Sequence, residues 1–352
     1  MNIHQVLSGA SQNDAITNES REFRTLFTRW GWGGSDHAGR IGHGMSDILP
    51  ITSLEAQPED VLLIHHSASI PGLDTVLERP SPKLLLYHNI TPAEYLWAAA
   101  PVVAAQCAAG RAQLATLVEA ADVIAAHSAF NARELTALGA RHTEVIPVFV
   151  DLARLGSTAL AGTDAVAGEP PEVLFVGRLS PHKGQAELIR AFSLYRSHRA
   201  PAAHLVLVGE PLTIGYTASL RQLAEDLVPG AVAVESGLSD DALADRYRAA
   251  DAFVCLSEHE GFCVPLLEAF HAGLPVIARG SGAIPEVVGE AALLVEDRDP
   301  AVIAELIHLV VSDRDLRSEL IRRGQLRLER FARAPMERKL REVAELTAVA
   351  RH

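Results

Sequence analysis

Short β-branched runs alternate with amphipathic stretches throughout the second half of the chain. Six runs carry this pattern: Val173–Val176, His204–Val208, Ala231–Val234, Ala252–Leu256, Pro275–Ala278 and Ala292–Val295. Most are separated by segments with apolar residues at helical spacing, so the order is strand, helix, strand, helix. This order predicts a parallel sheet covered by helices on both faces.

The first half repeats the alternation less regularly. Strands are predicted at Ile3–Leu7, Val61–Ile64, Lys83–Tyr87, Val123–Ala126 and Thr143–Val148. A helix is predicted over Ala15–Arg29, and a shorter one over Phe130–Gly139 with Ser128 as its N-cap. The fold class is therefore α/β, with a second sheet of the same kind.

The length of 352 residues corresponds to two domains at about 150 residues each. We predict a first domain over 1–154, a linker over 155–171 and a second domain over 172–334. The linker is placed where Gly, Ala, Thr and Pro are frequent and no periodic apolar face exists. A last helix, 335–352, begins at Pro335 and is expected to pack back on the first domain.

Charge limits the partners of this chain. The formal net charge is −13, and a field of this sign repels nucleic-acid backbones and anionic lipid head groups. General binding to nucleic acid is therefore not expected, although a local basic pocket for one small anion is compatible with this charge.

Membrane and disulfide signals are weak. The longest uncharged stretch, Tyr95–Gly110, is too short and too Pro-interrupted to span a bilayer, and the N-terminus lacks a signal-peptide pattern. Three cysteines without a CxxC spacing argue against a disulfide framework or a structural zinc site. We expect a cytoplasmic protein with reduced cysteines and no transmembrane segment.

Loops that follow parallel strands are the first place to look for a ligand site. After Val173–Val176 comes Gly177–Gly184, which contains Arg178 and Lys183. Glycines let backbone amides approach a diphosphate, and the two cations neutralise it. An exposed basic loop is the alternative interpretation, and no GxxxxGK[ST] phosphate loop occurs in the chain.

A second loop, Glu258–Glu268, follows the strand Ala252–Leu256. Pro265 suits the first turn of a helix, which leaves Glu260 on the loop and Glu268 one turn inside the helix. Carboxylates accept hydrogen bonds from sugar hydroxyls, whereas the helix dipole alone also favours Glu in a first turn. A metal site made by Cys255, His259 and Cys263 is not expected, because a strand, a loop and a helix entry do not converge on one face.

The third loop is Gly280–Glu286, after the strand Pro275–Ala278. Its free amides suit a ligand, although a plain turn uses the same residues. The three loops follow successive strand ends of one predicted sheet. Chance explains this coincidence less well than a shared ligand site does.

Four segments carry a resemblance to a known family: Phe175–Gly184, Glu260–Glu268 with Ala269 after it, Gly273–Val276 and Gly280–Glu286. They are similar to the donor-binding motifs of family 4 glycosyltransferases, which are retaining enzymes of the GT-B fold. The resemblance is strong over 173–295 and weaker, though co-linear, over 1–150. It implies two Rossmann-like parallel-sheet domains facing a cleft, the first on the acceptor side and the second binding a nucleotide-sugar donor.

The resemblance also implies roles for particular residues. Arg178 and Lys183 would hold the donor diphosphate, Glu268 the ribose hydroxyls, and Glu260 the transferred sugar. Two residues, Gly237 and Leu238, would lie by the nucleobase. The other donor-binding candidates lie between the two glutamates: Gly261, Phe262, Cys263 and Val264.

In the first half, Tyr87–Pro92 is similar to the family segment whose histidine lies beside the donor sugar. His88 is therefore a catalytic candidate, together with Glu260, Arg178 and Lys183, while a packed or capping histidine is the alternative. The family often has a Gly-Gly turn after the first strand that touches the diphosphate. This sequence has the single Gly9 there, followed by Ala10.

Three further residues are candidates for the acceptor side. They are His65, His66 and Asn89. Because His65 and His66 are neighbours in a strand, they point to opposite faces, and at most one of them can line the acceptor site.

Three other functions are alternatives to this one. A metal-dependent GT-A transferase needs an Asp-x-Asp motif, and the chain offers Asp297–Asp299 and Asp313–Asp315. Asp299 before Pro300, and Asp313 after Ser312, are better explained as helix starts. A nucleotide-sugar 2-epimerase and a non-catalytic nucleotide-sugar-binding subunit remain as alternatives.

The resulting hypothesis is transfer of a hexose-like sugar, with retention, from a UDP- or GDP-linked donor. Neither a metal nor a cofactor beyond this co-substrate is expected. The acceptor, whether a sugar, a lipid-linked or a small molecule, is not specified by the sequence, and neither is the oligomeric state.

Overall fold

The computed structural model describes residues 1–12, 14–156, 170–296 and 298–350. Most of the predicted linker 155–171 therefore lies outside the described residues, as does Asp297 of one Asp-x-Asp motif. The chain divides into two compact units. The first unit comprises Met1–Glu94, Val102–Phe149 and Ala332–His352, and the second comprises Tyr95–Pro101 and Val150–Phe331.

The first unit is built on a parallel sheet with strand order β3-β2-β1-β4-β5-β6-β7. Its strands are β1 (Ile3–Leu7), β2 (Asp36–Ala38), β3 (Leu49–Pro50), β4 (Val61–His66), β5 (Lys83–Tyr87), β6 (Val123–Ala126) and β7 (Glu144–Val145). Its helices are α1 (Ala15–Arg29), α2 (Leu73–Leu77), α3 (Pro101–Ala120), α4 (Ala129–Ala137) and α12 (Arg333–Val349). All five predicted strands are present, although β7 has two residues where six were predicted. The strands β2 and β3, of three and two residues, are too short to be predicted from the sequence.

Burial on both faces explains the composition of these strands. Every residue of β1, β4 and β5 is buried, as expected for parallel strands with helices on both sides. The core also includes the last helix, because Met336 and Leu340 of α12 pack in the same cluster as Phe23 and Leu63. That helix begins at Arg333, two residues before the predicted Pro335.

The second unit has a six-stranded parallel sheet in the order β10-β9-β8-β11-β12-β13. The strands are β8 (Glu172–Val176), β9 (His204–Val208), β10 (Val232–Glu235), β11 (Ala252–Cys255), β12 (Val276–Arg279) and β13 (Ala292–Val295). The helices are α5 (Gln185–His198), α6 (Ile214–Leu227), α7 (Asp240–Ala249), α8 (Val264–His271), α9 (Ile284–Val288), α10 (Pro300–Ser312) and α11 (Arg314–Leu328). The six strands predicted from the sequence are confirmed to within one residue at each end.

Helix caps account for Asp299 and Asp313, one aspartate of each Asp-x-Asp motif. The carboxylate of Asp299 accepts a hydrogen bond from the Ala301 amide at the start of α10. Asp313 likewise accepts from the Asp315 amide at the start of α11. The prediction that these aspartates begin helices is confirmed.

None of the helices in the part of the chain that the structure describes combines the length and the apolar character needed to cross a membrane.

Candidate functional site

The basic loop after β8 folds as a tight turn at the carboxyl end of the second sheet. Pro181–Lys183 form one 3-10 turn, and Gly184 has φ +73°. A Cβ atom at Gly184 would lie 2.5 Å from the carbonyl oxygen of Leu256, so only glycine fits. The turn leaves Arg178 exposed, and Lys183 only 18% exposed in its side chain.

Lys183 forms an ion pair with Glu260. Its Nζ lies 2.6 Å from Glu260 Oε1, and the side chain of Glu260 is only 9% exposed. Burial acts to lower the pKa of Lys183, but the charge of Glu260 outweighs it, and the pKa is raised. Burial acts to raise the pKa of Glu260, but the charge of Lys183 outweighs it, and the pKa is lowered. Both groups are therefore charged at neutral pH.

Backbone hydrogen bonds join the three predicted loops into one surface. The Glu258 amide donates to the carbonyl of His182 (2.7 Å), and the Ala283 amide donates to that of Glu260 (2.9 Å). Gly282 has φ +58°, and a Cβ atom there would lie 2.3 Å from the Glu260 carbonyl oxygen. The third loop therefore packs directly on the backbone that carries Glu260.

Glu268 is held by two residues that the sequence analysis did not assign to the site. Its Oε2 accepts a hydrogen bond from the Tyr247 hydroxyl at 2.7 Å, and its Oε1 accepts one from Arg154. Burial, followed by the charge of Glu268, raises the pKa of Tyr247. Tyr247 had only the helical spacing of a core residue, and Arg154 belongs to no motif, so neither carried a recognisable signal.

The remaining donor-binding candidates occupy different environments. Gly237 is exposed with φ +69°, and its amide donates to Glu210 Oε1 at 2.9 Å. Phe262 is buried and contacts Phe331 edge to face, with ring centroids 5.6 Å apart. Three others, Leu238, Gly261 and Val264, are half-buried.

Cys263 has an unusual backbone conformation that places its side chain beside Cys255. It is the N-cap of α8 with φ +76°, a left-handed conformation that is uncommon outside glycine. This backbone brings its sulfur to 3.8 Å from Cys255 Sγ. The strand and the helix entry therefore bring these two cysteines together, and the absence of a metal site made by Cys255, His259 and Cys263 stays a prediction.

The histidine candidates of the first unit are buried in it. The His65 and His66 side chains are fully buried, and that of His88 is 5% exposed. His88 lies between His65 and His127, with a ring nitrogen 2.9 Å from the first and 3.0 Å from the second. Asn89, with φ +75°, is buried and donates to Asn131 Oδ1 at 2.9 Å.

Gly9 follows β1 beside a cation that the sequence analysis missed. The Ala10 amide donates to the Arg40 carbonyl at 2.9 Å, which holds Gly9 next to Arg40. The guanidinium of Arg40 donates to the Ser69 carbonyl at 2.6 Å. Arg40 escaped notice because it follows β2, a strand too short to be predicted.

Among the residues that the structure describes, two groups of side chains have metal-ligand atoms within 4.8 Å of one another. They are Glu19, His65 and His88 in the first unit, and Cys255, Glu260 and Cys263 in the second. Each of these side chains already contacts another polar side chain, as Glu260 does Lys183. We assign neither group as a metal site.

Buried neutral histidines make stability depend on pH. Burial lowers the pKa of His65 and His66 to about 4 and that of His182 to about 3. Histidines in the unfolded chain titrate at about pH 6.5, so below that pH the unfolded chain binds protons that the folded chain does not. Stability then falls by up to about 1.4 kcal/mol per pH unit for each such histidine. We expect the calorimetric Tm to drop between pH 6.5 and 5, and an unchanged Tm would contradict these assignments.

Comparisons with known proteins identify the second half most clearly. Residues 163–327 match the family described as Glycosyl transferases group 1. The chain is 35% identical over 222 residues to the D-inositol 3-phosphate glycosyltransferase of Geodermatophilus obscurus, covering 59% of this chain and 49% of that protein. It is 32% identical over 221 residues to the GDP-mannose-dependent alpha-(1-6)-phosphatidylinositol monomannoside mannosyltransferase of Mycobacterium tuberculosis. That match covers 58% of this chain and 56% of that protein. The matched part thus spans about half the length of these relatives.

Solved structures match the whole chain. Sucrose-phosphate synthase from Thermosynechococcus elongatus superposes with a TM-score of 0.77 at 18% identity, covering 98% of both chains. Anabaena HepE in complex with UDP superposes with a TM-score of 0.72 at 19% identity, covering 98% of this chain and 100% of that one. With its two parallel-sheet units, the predicted GT-B fold is confirmed.

Proposed function

Because residues 163–327 of this chain match the Glycosyl transferases group 1 family, we propose that it is a retaining glycosyltransferase. It moves a hexose-like sugar from a UDP- or GDP-linked donor to an acceptor and needs no metal ion. One observation carries the proposal: three loops at the carboxyl end of the second sheet are hydrogen-bonded together around the buried Lys183–Glu260 pair. The names of the relatives, which include an inositol phosphate glycosyltransferase and a mannosyltransferase, support it.

The cations of the first loop act on the leaving diphosphate. As the glycosidic bond breaks, negative charge develops on the diphosphate. Arg178 and Lys183 stabilise this charge more strongly in the transition state than in the ground state. An ammonium group has three N–H donors. Lys183 can therefore keep its hydrogen bond to Glu260 and still donate to a phosphate oxygen.

The two glutamates bind different parts of the donor. Each oxygen of an ionised carboxylate has two acceptor positions. Glu268 can therefore accept from ribose hydroxyls while Arg154 and Tyr247 hold its two oxygens. Glu260, fixed by Lys183 and the third loop, accepts from the sugar that is transferred.

Retention follows if the acceptor attacks the face of the sugar from which the diphosphate leaves. No enzymic nucleophile is assigned in this proposal. The acceptor hydroxyl passes its proton to the leaving phosphate oxygen as the new glycosidic bond forms, so that the proton and charge balance without a base from the protein.

A thermal-shift screen of UDP- and GDP-sugars tests the donor class. A ligand present at 100 times its Kd stabilises the folded state by about 2.7 kcal/mol, so a true donor raises the Tm by several degrees. Failure of every nucleotide sugar and of UDP and GDP to shift the Tm would refute the proposal. Binding of a donor without transfer or donor hydrolysis would instead favour a non-catalytic binding subunit.

Metal independence is tested separately. We expect transfer, or slow donor hydrolysis, to continue in excess EDTA, because Arg178 and Lys183 supply the positive charge. Activity that disappears with the chelator and returns with Mg²⁺ or Mn²⁺ would contradict this part of the proposal. A nucleotide-sugar 2-epimerase would be recognised by a changed sugar on the recovered donor.

A further inference from the structure

Four buried side chains meet at the carboxyl ends of three neighbouring strands in the first unit. His65 is the last residue but one of β4, His88 follows β5, His127 follows β6, and Glu19 reaches them from α1. The side chains of Glu19, His88 and His127 are 2%, 5% and 2% exposed. The rings of His65, His88 and His127 are linked in a row by hydrogen bonds. The groups that contact the first and last ring determine which ring nitrogens carry protons.

Gln5 fixes the first end of this row of rings. Its Nε2 donates to the Ser20 carbonyl at 2.8 Å and to Asp36 Oδ1 at 2.9 Å, so its Oε1 is the atom that faces His65. Oε1 lies 2.9 Å from His65 Nε2 and accepts only, so that nitrogen carries a hydrogen. In the neutral ring Nδ1 is then an acceptor, and His88 Nε2 must donate to it at 2.9 Å.

The Ile146 carbonyl fixes the other end. It lies 2.8 Å from His127 Nδ1 and accepts only, so Nδ1 carries a hydrogen. One further proton must lie between His127 Nε2 and His88 Nδ1, which are 3.0 Å apart. Either ring can hold it as far as this single contact is concerned.

Glu19 decides which ring holds that proton. Its Oε2 lies 3.2 Å from His127 Nε2 but 3.6 Å from His88 Nδ1. A hydrogen on His127 Nε2 makes the shorter contact attractive, whereas a lone pair there would face a carboxylate oxygen. The Phe149 amide donates to Glu19 Oε1 at 3.1 Å and keeps the carboxylate in place.

The electrostatics agree with this geometry. Burial acts to lower the pKa of His127, but the charge and hydrogen bond of Glu19 outweigh it, and the pKa is raised. Burial acts to raise the pKa of Glu19, but His127 outweighs it, and that pKa is lowered. Burial, with the charge of His127, lowers the pKa of His88.

Two other titratable groups near the hydrogen-bonded histidine rings, Asp36 and His66, are held by partners outside the three rings. On β2, Asp36 is paired with Arg24 of α1 at 2.6 Å. On β4, the Nε2 atom of His66 lies 2.9 Å from the Gly110 carbonyl of α3. Glu19 is therefore the charged group that determines whether His127 or His88 holds the further proton.

We propose that His127 is a positioning residue: its doubly protonated ring, paired with Glu19, fixes His88 in the neutral tautomer with the proton on Nε2. The ring of His88 is thereby held at both nitrogens in one orientation. That His88 takes part in sugar transfer is the expectation from the family resemblance, and it rests on the proposed function. The charge of His127 and the tautomer of His88 are inferred from the hydrogen bonds alone and do not rest on the proposed function.

Nitrogen-15 NMR of the full chain, labelled in histidine, tests the assignment without any substrate. Signals are assigned by comparison with His88→Gln and His127→Gln. We expect His127 to show two protonated ring nitrogens at pH 7, and His88 to show one, on Nε2. A neutral His127 at pH 7 in the wild type would overturn the proposal, and if no variant folded, a wild-type spectrum without any histidine protonated at both ring nitrogens at pH 7 would overturn it as well.

Glu19→Gln tests the source of the charge. The amide oxygen can still accept from the Phe149 amide, but the negative charge is gone, so His127 is expected to become neutral at pH 7. Glu22→Gln is the matched control, since it makes the same change on the same helix in a residue that pairs with Arg333. An imidazolium that persists in Glu19→Gln would overturn the proposal, as would a stoichiometric metal found by elemental analysis.

Transfer assays then connect the network to function. If His88 acts in transfer, Glu19→Gln should lower kcat at pH 7 at least tenfold with little change in nucleotide Kd, and Glu22→Gln should change neither. Wild-type kcat in a Glu19→Gln protein whose His127 is neutral would overturn the positioning role. If the wild type shows no transfer at all, the proposed function fails while the NMR result stands.

Discussion

Lys183→Met is expected to abolish measurable sugar transfer and to destabilise the protein. The substitution removes one of the two cations that face the leaving diphosphate. It also leaves the buried Glu260 carboxylate without its ammonium partner at 2.6 Å. Breaking a buried ion pair by removing one partner costs about 3–5 kcal/mol, which should appear as a lower Tm in calorimetry.

Arg178→Met is the matched control for Lys183→Met. Arg178 is exposed, and none of the carboxylates that the structure describes lies within 4 Å of its guanidinium. This variant should weaken binding of UDP or GDP while the Tm stays close to that of the wild type. The double variant Lys183→Met/Glu260→Gln should recover part of the Tm without recovering transfer. An unchanged Tm in Lys183→Met would show that the pair is not buried in solution.

The position of Lys183 and Glu260 on neighbouring loops could be predicted from the sequence, but their pairing could not. Both loops follow β-branched runs, and strands of one parallel sheet place such loops at the same edge. Their pairing depends on Gly184 and Gly282, whose left-handed backbones allow close approach to the Leu256 and Glu260 carbonyls. Nothing in the spacing of the motifs specifies those contacts.

The histidine network shows a similar limit. Order along the chain predicted that His65 and His88 end or follow neighbouring strands. Glu19 had no such signal, because a single Glu on an amphipathic helix is ordinarily exposed. His127 was overlooked next to the N-cap residue Ser128. The network follows from the packing of α1 on the sheet, which periodicity indicates only as an apolar face.

Glu268→Ala is expected to weaken binding of UDP and GDP strongly and to leave the chemical step less affected. Loss of hydrogen bonds to a charged group costs about 1.5–3 kcal/mol, which is roughly a 10-fold to 150-fold rise in Kd. Ribose contacts change little during the reaction, so the kcat of donor-saturated enzyme should fall less than in Glu260→Ala. Isothermal titration calorimetry with each nucleotide measures the first effect.

Structural damage must be separated from lost ribose contacts in Glu268→Ala, since the variant also removes the partner of the buried Tyr247 hydroxyl and leaves Arg154 paired with Asp240 alone. Tyr247→Phe removes only the hydrogen bond to Glu268 Oε2, and it should raise the nucleotide Kd by a smaller factor because Arg154 still holds the carboxylate. Tyr195→Phe removes the hydroxyl of another buried tyrosine, on α5, and should leave the Kd unchanged. If Glu268→Ala binds both nucleotides with wild-type affinity while its Tm falls, Glu268 supports only the fold, and the ribose lies elsewhere.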